Sequence, residues 1–197
     1  MKLYGTATSP FVRRVRVVCA EIGEPIDRMN TANEAGQAQL REVTPIRKVP
    51  VAVVDGKTLF DSHVIIDWLT VTRGFGDLAP PRDRWRDANL INAIDAALDS
   101  VIQLFYLRRD GVAIDGTPYA TRQLERTEAI FTWLGTQLAA DRKGFGEGFG
   151  LVELALVSAL DWMDFRTMYP TERAESIAGV RAAWGDRASL VATRPHA

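Results

Sequence analysis

The chain has 197 residues, 47% of them apolar and 25% charged, which leaves room for one large or two small domains with a sizeable core. A net charge of −1 does not favour nucleic acid or an anionic membrane as a partner. Cys19 is the only cysteine, which excludes an internal disulfide and a cysteine-cluster metal site and suits a reducing cytoplasm.

Lys2 to Gly5 reads as a short opening strand rather than a signal peptide. Thr8-Ser9-Pro10 then opens a helix, with a hydroxyl residue at the cap and proline at the first helical position. Val12, Val15, Cys19 and Ile22 recur at helical spacing, with Arg13, Arg14 and Arg16 between them, and Gly23 ends the run. Pro25 to Met29 can form a second strand, and Asn33 to Val43 is a weaker helical stretch. Val51 to Val54 is a buried strand, Asp55-Gly56 a hairpin turn, and Thr58 to Phe60 the partner strand. Ser62 is expected to cap a third helix running through Ile65, Ile66 and Leu69 towards Thr72, so the order is βαβαββα.

Gly74 to Arg84 carries Gly-Phe-Gly and Pro80-Pro81 and reads as a linker. Beyond the linker the chain is helical: Trp85 to Arg109, Tyr119 to Ala140, the strongly apolar and central Leu151 to Arg166, and Thr171 to Trp184, with the remainder a tail. The expected division is a first domain of residues 1–75, a linker of residues 76–84 and an all-helical domain of residues 85–197.

Three short stretches carry chemistry. Ser9 sits at a helix N-terminus, where unpaired amides and the helix dipole favour negative charge, so a thiolate held there would be stabilised. A thiol pKa lowered by ~2 units from ~8.5 corresponds to about 2.7 kcal/mol and leaves most of the thiol ionised at neutral pH. Val49-Pro50 precedes a buried strand; a cis bond there would turn the chain and leave Val49 backbone groups free to pair with a peptide-like ligand. An ordinary trans proline at a strand start is the other reading. Asp61-Ser62 opens the third helix, where hydroxyl and amides suit a carboxylate and Asp61 an ammonium. Taken alone, Ser9 and Asp61-Ser62 are also what plain helix capping would produce.

In the order Ser-Pro-Phe, Val-Pro, Asp-Ser, the three resemble the glutathione transferase superfamily. Thr8-Ser9-Pro10-Phe11-Val12-Arg13-Arg14-Val15-Arg16-Val17 is similar to the first helix of serine-type members. Thr44-Pro45-Ile46-Arg47-Lys48-Val49-Pro50 is similar to the loop before the family's cis proline, and Leu59-Phe60-Asp61-Ser62 to its γ-glutamyl-binding turn. Gly148 to Phe165 is similar to the central helix of the second domain, and the tail with Asp164-Phe165-Arg166 to small bacterial members. The resemblance implies a thioredoxin-like βαβαββα domain followed by an all-helical domain. It implies a glutathione site of Ser9, Phe11, Lys48, Val49, Pro50, Asp61 and Ser62, with Ser9 as the catalytic residue. It further implies glutathione as cosubstrate, no metal or prosthetic group, a cytoplasmic homodimer and an apolar electrophile bound by the helical domain.

The chain departs from the family pattern at two places. Gly150-Leu151-Val152-Glu153 replaces the hydroxyl-led capping box of the central helix, although Glu153 can still reach back. Serine rather than cysteine at position 9 rules out a mixed disulfide there, and Cys19, on the apolar helix face, reads as core. Other signals carry less. Gly144 to Gly150 lacks a preceding strand and reads as a turn, not a dinucleotide fingerprint. Tyr4 reads as core, and Trp85, Phe105, Tyr106 and Trp162 read mostly as core at helical spacing, with one or two facing an acceptor pocket as the other reading. His63 and His196 lack ligand spacing, and no apolar run reads as membrane-spanning. The expected activity is attack of a glutathione thiolate on a small electrophile. The alternative is a non-catalytic glutathione-binding or scaffold protein on the same fold. A glutathione-dependent isomerase ranks lower, since Ala7-Thr8-Ser9 replaces its Ser-Ser-Cys stretch.

Overall fold

The computed structural model describes residues 1–196, which form two units. The first comprises Met1–Leu78 and the chain from Arg187 onward; the second is Ala79–Asp186.

In the first unit, β1 (Lys2–Gly5), α1 (Pro10–Ile22), β2 (Asp27–Asn30), α2 (Glu34–Val43), β3 (Val51–Val54), β4 (Lys57–Phe60) and α3 (Ser62–Arg73) succeed one another in chain order. The sheet order is β2-β1-β3-β4. β1 and β2 run parallel because α1 carries the chain back between them. β3 is antiparallel to both β1 and β4. Asp55 (φ 47) and Gly56 (φ 72) both take left-handed values, as a two-residue hairpin turn requires. This is the expected βαβαββα arrangement of a thioredoxin-like domain.

The core of this unit lies between the sheet and helices α1 and α3, with Leu3, Val12, Val15, Val18, Cys19, Ile65 and Leu69 almost fully buried. Two arginines join them, against the sequence pattern: Arg13 and Arg14 are each 2% exposed. The cause of Arg13 burial is the end of the chain, where α8 (Ala188–Val191) packs on α1. The Arg13 guanidinium donates to the Leu190 carbonyl at 3.0 Å and to Thr193 Oγ1 at 3.3 Å. Residues 187–196, expected in the helical domain, therefore belong with the first unit.

The second unit contains α4 (Arg84–Arg109), α5 (Pro118–Gln137), α6 (Leu151–Arg166), a 3₁₀ turn (Thr171–Arg173) and α7 (Ala178–Trp184). α6 is apolar all round and buried along almost its whole length, the signature of a central helix. α4 packs on α5 and α6 through Leu90, Ile94, Leu98, Val101 and Leu104. By length and composition alone α4 is long and apolar enough to span a bilayer, a feature not expected from the sequence. Its outer face carries Trp85 and Tyr106, 78% and 48% exposed, so these two lie outside the core, where most of the four helical aromatics were expected. Trp162 is buried and meets Phe105 edge-on at 5.6 Å.

Tertiary bonds account for two element ends. Arg86 donates to the Gln137 carbonyl at 2.9 Å and the Ala139 amide turns to the Gly144 carbonyl, which stops α5 at Gln137 rather than Ala140. The helix expected over 171–184 breaks around Ser176, whose hydroxyl donates to the Phe131 carbonyl and whose own carbonyl accepts from Arg142. Only a glycine at 135 permits this approach, since a Cβ there would lie 2.5 Å from Ser176 Cβ. Glu153 reaches back as expected and does more: its buried carboxylate accepts the Gly150 amide at 2.9 Å and the Phe145 amide at 2.7 Å, tying the glycine-rich turn to α6.

Candidate functional site

Strand register brings the three sequence stretches together. Val51 pairs with Tyr4 on one side and with Phe60 on the other. The C-terminal end of β1, the N-terminal end of β3 and the C-terminal end of β4 therefore share one edge of the sheet. Ser9 comes after the first, Val49-Pro50 precedes the second, and Asp61-Ser62 comes after the third. Helices α1 and α3 both begin at this edge, so two sets of unpaired N-terminal amides open there.

Ser9 is the N-cap of α1, extended and half-buried. Its Oγ accepts the Val12 amide at 3.3 Å and its carbonyl accepts the Arg13 amide at 3.0 Å. A hydroxyl that accepts a bond keeps its own proton to donate, so capping and donation to a thiolate are compatible. The preceding loop is closed by the Ser9 amide donating to the Thr6 carbonyl at 3.3 Å and by the Thr6 and Thr8 hydroxyls, 3.3 Å apart. Phe11 is half-buried, with the Arg14 guanidinium 5.2 Å above its ring.

The Val49-Pro50 bond is cis. Pro50 is buried, Val49 packs against the cluster of Tyr4, Leu40 and Val51, and Lys48 is exposed. Tyr4, 7% exposed, is core as expected. At the third stretch the cap is Asp61 rather than Ser62: Asp61 Oδ1 accepts the His63 amide at 2.8 Å, and Ser62 is the first helical residue. Asp61 adopts φ 78 and ψ 135, a positive-φ conformation outside the left-handed helical region and strained for any residue but glycine, and it turns the chain from β4 into α3. Its carboxylate is exposed and retains acceptor capacity beyond the capping bond, whereas Ser62 is 3% exposed.

Cys19 takes no part in this edge. Its thiol is fully buried, and burial, reinforced by Glu24, pushes its pKa up to about 12. That leaves it a packing residue, as its place on the apolar face of α1 implied. Sequence reasoning missed Arg13, one helical turn beyond Ser9 and bound to the chain terminus. An arginine between apolar positions reads as surface, and no local signal marks it otherwise.

The mixed four-stranded sheet, its cis-proline strand and the separate helical unit define a thioredoxin-like domain joined to an all-α domain. A family model described as "Glutathione S-transferase, N-terminal domain" matches residues 3–74. Glutathione S-transferase U6 of Arabidopsis thaliana is 31% identical over 104 residues, which span 51% of this chain and 47% of that protein. The uncharacterized GST-like protein YibF of Escherichia coli K12 is 26% identical over 178 residues, 86% of this chain and 85% of that one. A glutathione S-transferase from Methylobacillus flagellatus, solved with glutathione bound, superposes with a TM-score of 0.82 at 26% identity, covering 99% of each chain. Residues 3–74 thus match the N-terminal domain of the glutathione S-transferase family, and the whole chain shares the fold of a glutathione transferase.

Proposed function

We propose that this protein binds glutathione at the sheet edge and activates its thiol for attack on a small electrophile. The observation that carries the reading is the register Tyr4–Val51–Phe60, which gathers Ser9, Val49-Pro50 and Asp61-Ser62 at one edge where two helices begin. Bound glutathione in the related Methylobacillus flagellatus protein supports the choice of ligand.

In this reading Asp61 faces the γ-glutamyl ammonium, and the first-turn amides of α3 with Ser62 hold the γ-glutamyl carboxylate. The Val49 backbone pairs with the cysteinyl residue as an added strand would. Lys48 and Phe11 border the bound peptide, with the Lys48 ammonium available to the glycyl carboxylate. The Ser9 hydroxyl and the N-terminus of α1 stabilise the thiolate, and the thiol proton leaves to solvent. The thiolate then attacks an electrophilic carbon; the sulfur–carbon bond forms as the leaving group departs with its electron pair. Glutathione is a cosubstrate and no metal or prosthetic group takes part. A cytoplasmic homodimer and an apolar electrophile site on the helical unit complete the proposal.

The test is to titrate the thiolate absorbance of glutathione bound to the protein, and to track turnover with a reactive aryl halide. A bound thiol ionising well below its value in free solution, with turnover, is the expected result. Binding with an unshifted thiol would instead favour the non-catalytic binding protein.

A further inference from the structure

The last residues of the chain run along α1 from its final turn to its first. At the final turn, Arg187 pairs with the Glu21 carboxylate through two hydrogen bonds of 2.7 and 2.6 Å, and Ser189 donates to the same carboxylate. Arg187 also donates to the Asp77 carbonyl at 2.9 Å, which fixes the start of the terminal segment. At the first turn, the buried Arg13 guanidinium donates to Leu190 and Thr193, and the Thr193 hydroxyl donates in turn to the Ser189 carbonyl at 2.8 Å. The backbone of this same Arg13 closes the first turn of α1, its amide donating to the Ser9 carbonyl at 3.0 Å.

The first turn of α1 is buried through Pro10, Val12 and Arg13, so whatever the Arg13 side chain binds bears directly on the turn that carries Ser9. Ser9 itself is held by its 3.3 Å hydroxyl bond to the Val12 amide, by its amide bond to the Thr6 carbonyl and by the Arg13 amide. The side chain that would steady that turn is the one the terminal segment grips. We propose that residues 187–194 are a clasp on α1 that holds its Ser9 end in the geometry the thiol site uses, with Arg13 as the positioning residue. The inference rests on the reading of Ser9 as the thiolate-stabilising group.

Thr193→Val and Arg187→Gln in the full chain loosen the clasp from the tail side and leave α1 intact, so a folding failure at buried Arg13 does not obscure the result. Two readouts are taken: amide hydrogen exchange at Val12 and Arg13 without ligand, and the thiol titration of bound glutathione. Exchange at the first turn should quicken roughly tenfold, the size expected for losing one hydrogen bond to a charged group. The bound thiol should titrate about half a unit higher, while glutathione affinity changes by about twofold or less. Variants that are merely less stable, with first-turn exchange and thiol titration as in wild type, would overturn the clasp and leave the site reading intact. A wild-type protein that binds glutathione without shifting its thiol would overturn the site reading, and the clasp as a device acting on the thiol with it.

Discussion

Glu21 and Arg187 lie 166 residues apart in sequence and meet as a two-pronged ion pair, with the Glu21 side chain only 6% exposed. The Arg187 hydrogen bonds hold the Glu21 carboxyl below its ordinary pKa, against the opposing pull of burial. A carboxyl lowered in the folded state contributes stability above its unfolded pKa and loses it as pH falls through the folded value. Glu21→Gln should therefore cost about 1.5–3 kcal/mol near neutral pH, the range for a hydrogen bond to a charged group. The deficit should close as pH falls through the carboxylate range. Urea unfolding of both proteins at neutral and acid pH measures this, and a deficit independent of pH would contradict it.

Ser9→Ala should lower turnover more than glutathione affinity. In the proposed reading the hydroxyl meets the ionised sulfur, a small part of the ligand, so its loss falls chiefly on the thiolate and the transition state. The start of α1 survives the substitution, and a partial loss of roughly 10- to 100-fold in rate fits the removal of one such donor beside an intact helix N-terminus. Comparing the thiol titration of bound glutathione in the two proteins locates the effect. An equal depression in both would move the role to Thr8, whose hydroxyl lies in the same loop.

Ser62→Ala should weaken glutathione binding by about 1–3 kcal/mol, the cost of removing a hydrogen bond to a charged carboxylate. Asp61→Asn should also weaken it, because the amide keeps an oxygen to cap α3 but loses the charge facing the ammonium. Calorimetry with glutathione decides, alongside thermal unfolding to show that the helix start is intact. Unchanged affinity in both variants would remove the γ-glutamyl assignment from this turn.

The Cys19 thiol should resist a disulfide-exchange reagent in the native protein and react fully on unfolding, as the thiolate is the reactive form and the side chain is buried. Because its folded pKa is raised, the stability it contributes is present below the ordinary thiol value and is lost as pH rises towards about 12. Cys19→Ser, which buries a hydroxyl in the same apolar place, should destabilise by about 1–3 kcal/mol. Rapid labelling of the native protein would show that the face of α1 around Cys19 opens readily.

Where the determinants are local, the sequence alone determined the element. β1, α1, β3 and α6 run over the expected residues because a cap with proline, a closing glycine, a hairpin turn or an all-apolar run each acts within a few residues. The candidate site was legible in the same way as three separate stretches. Their meeting at one edge was decided by the pairing of Tyr4 and Phe60 with Val51, a long-range register that no single stretch encodes. Between Asp61 and Ser62, both able to cap, the positive-φ turn out of β4 decided in favour of Asp61. The burial of Arg13, the break at Ser176 and the exposure of Trp85 depend on which segment lies alongside. Residues 187–194 bury an arginine whose neighbours in sequence mark it for the surface, because burial is a property of the packed chain and a charged group can be buried wherever distant carbonyls and hydroxyls arrive to bind it.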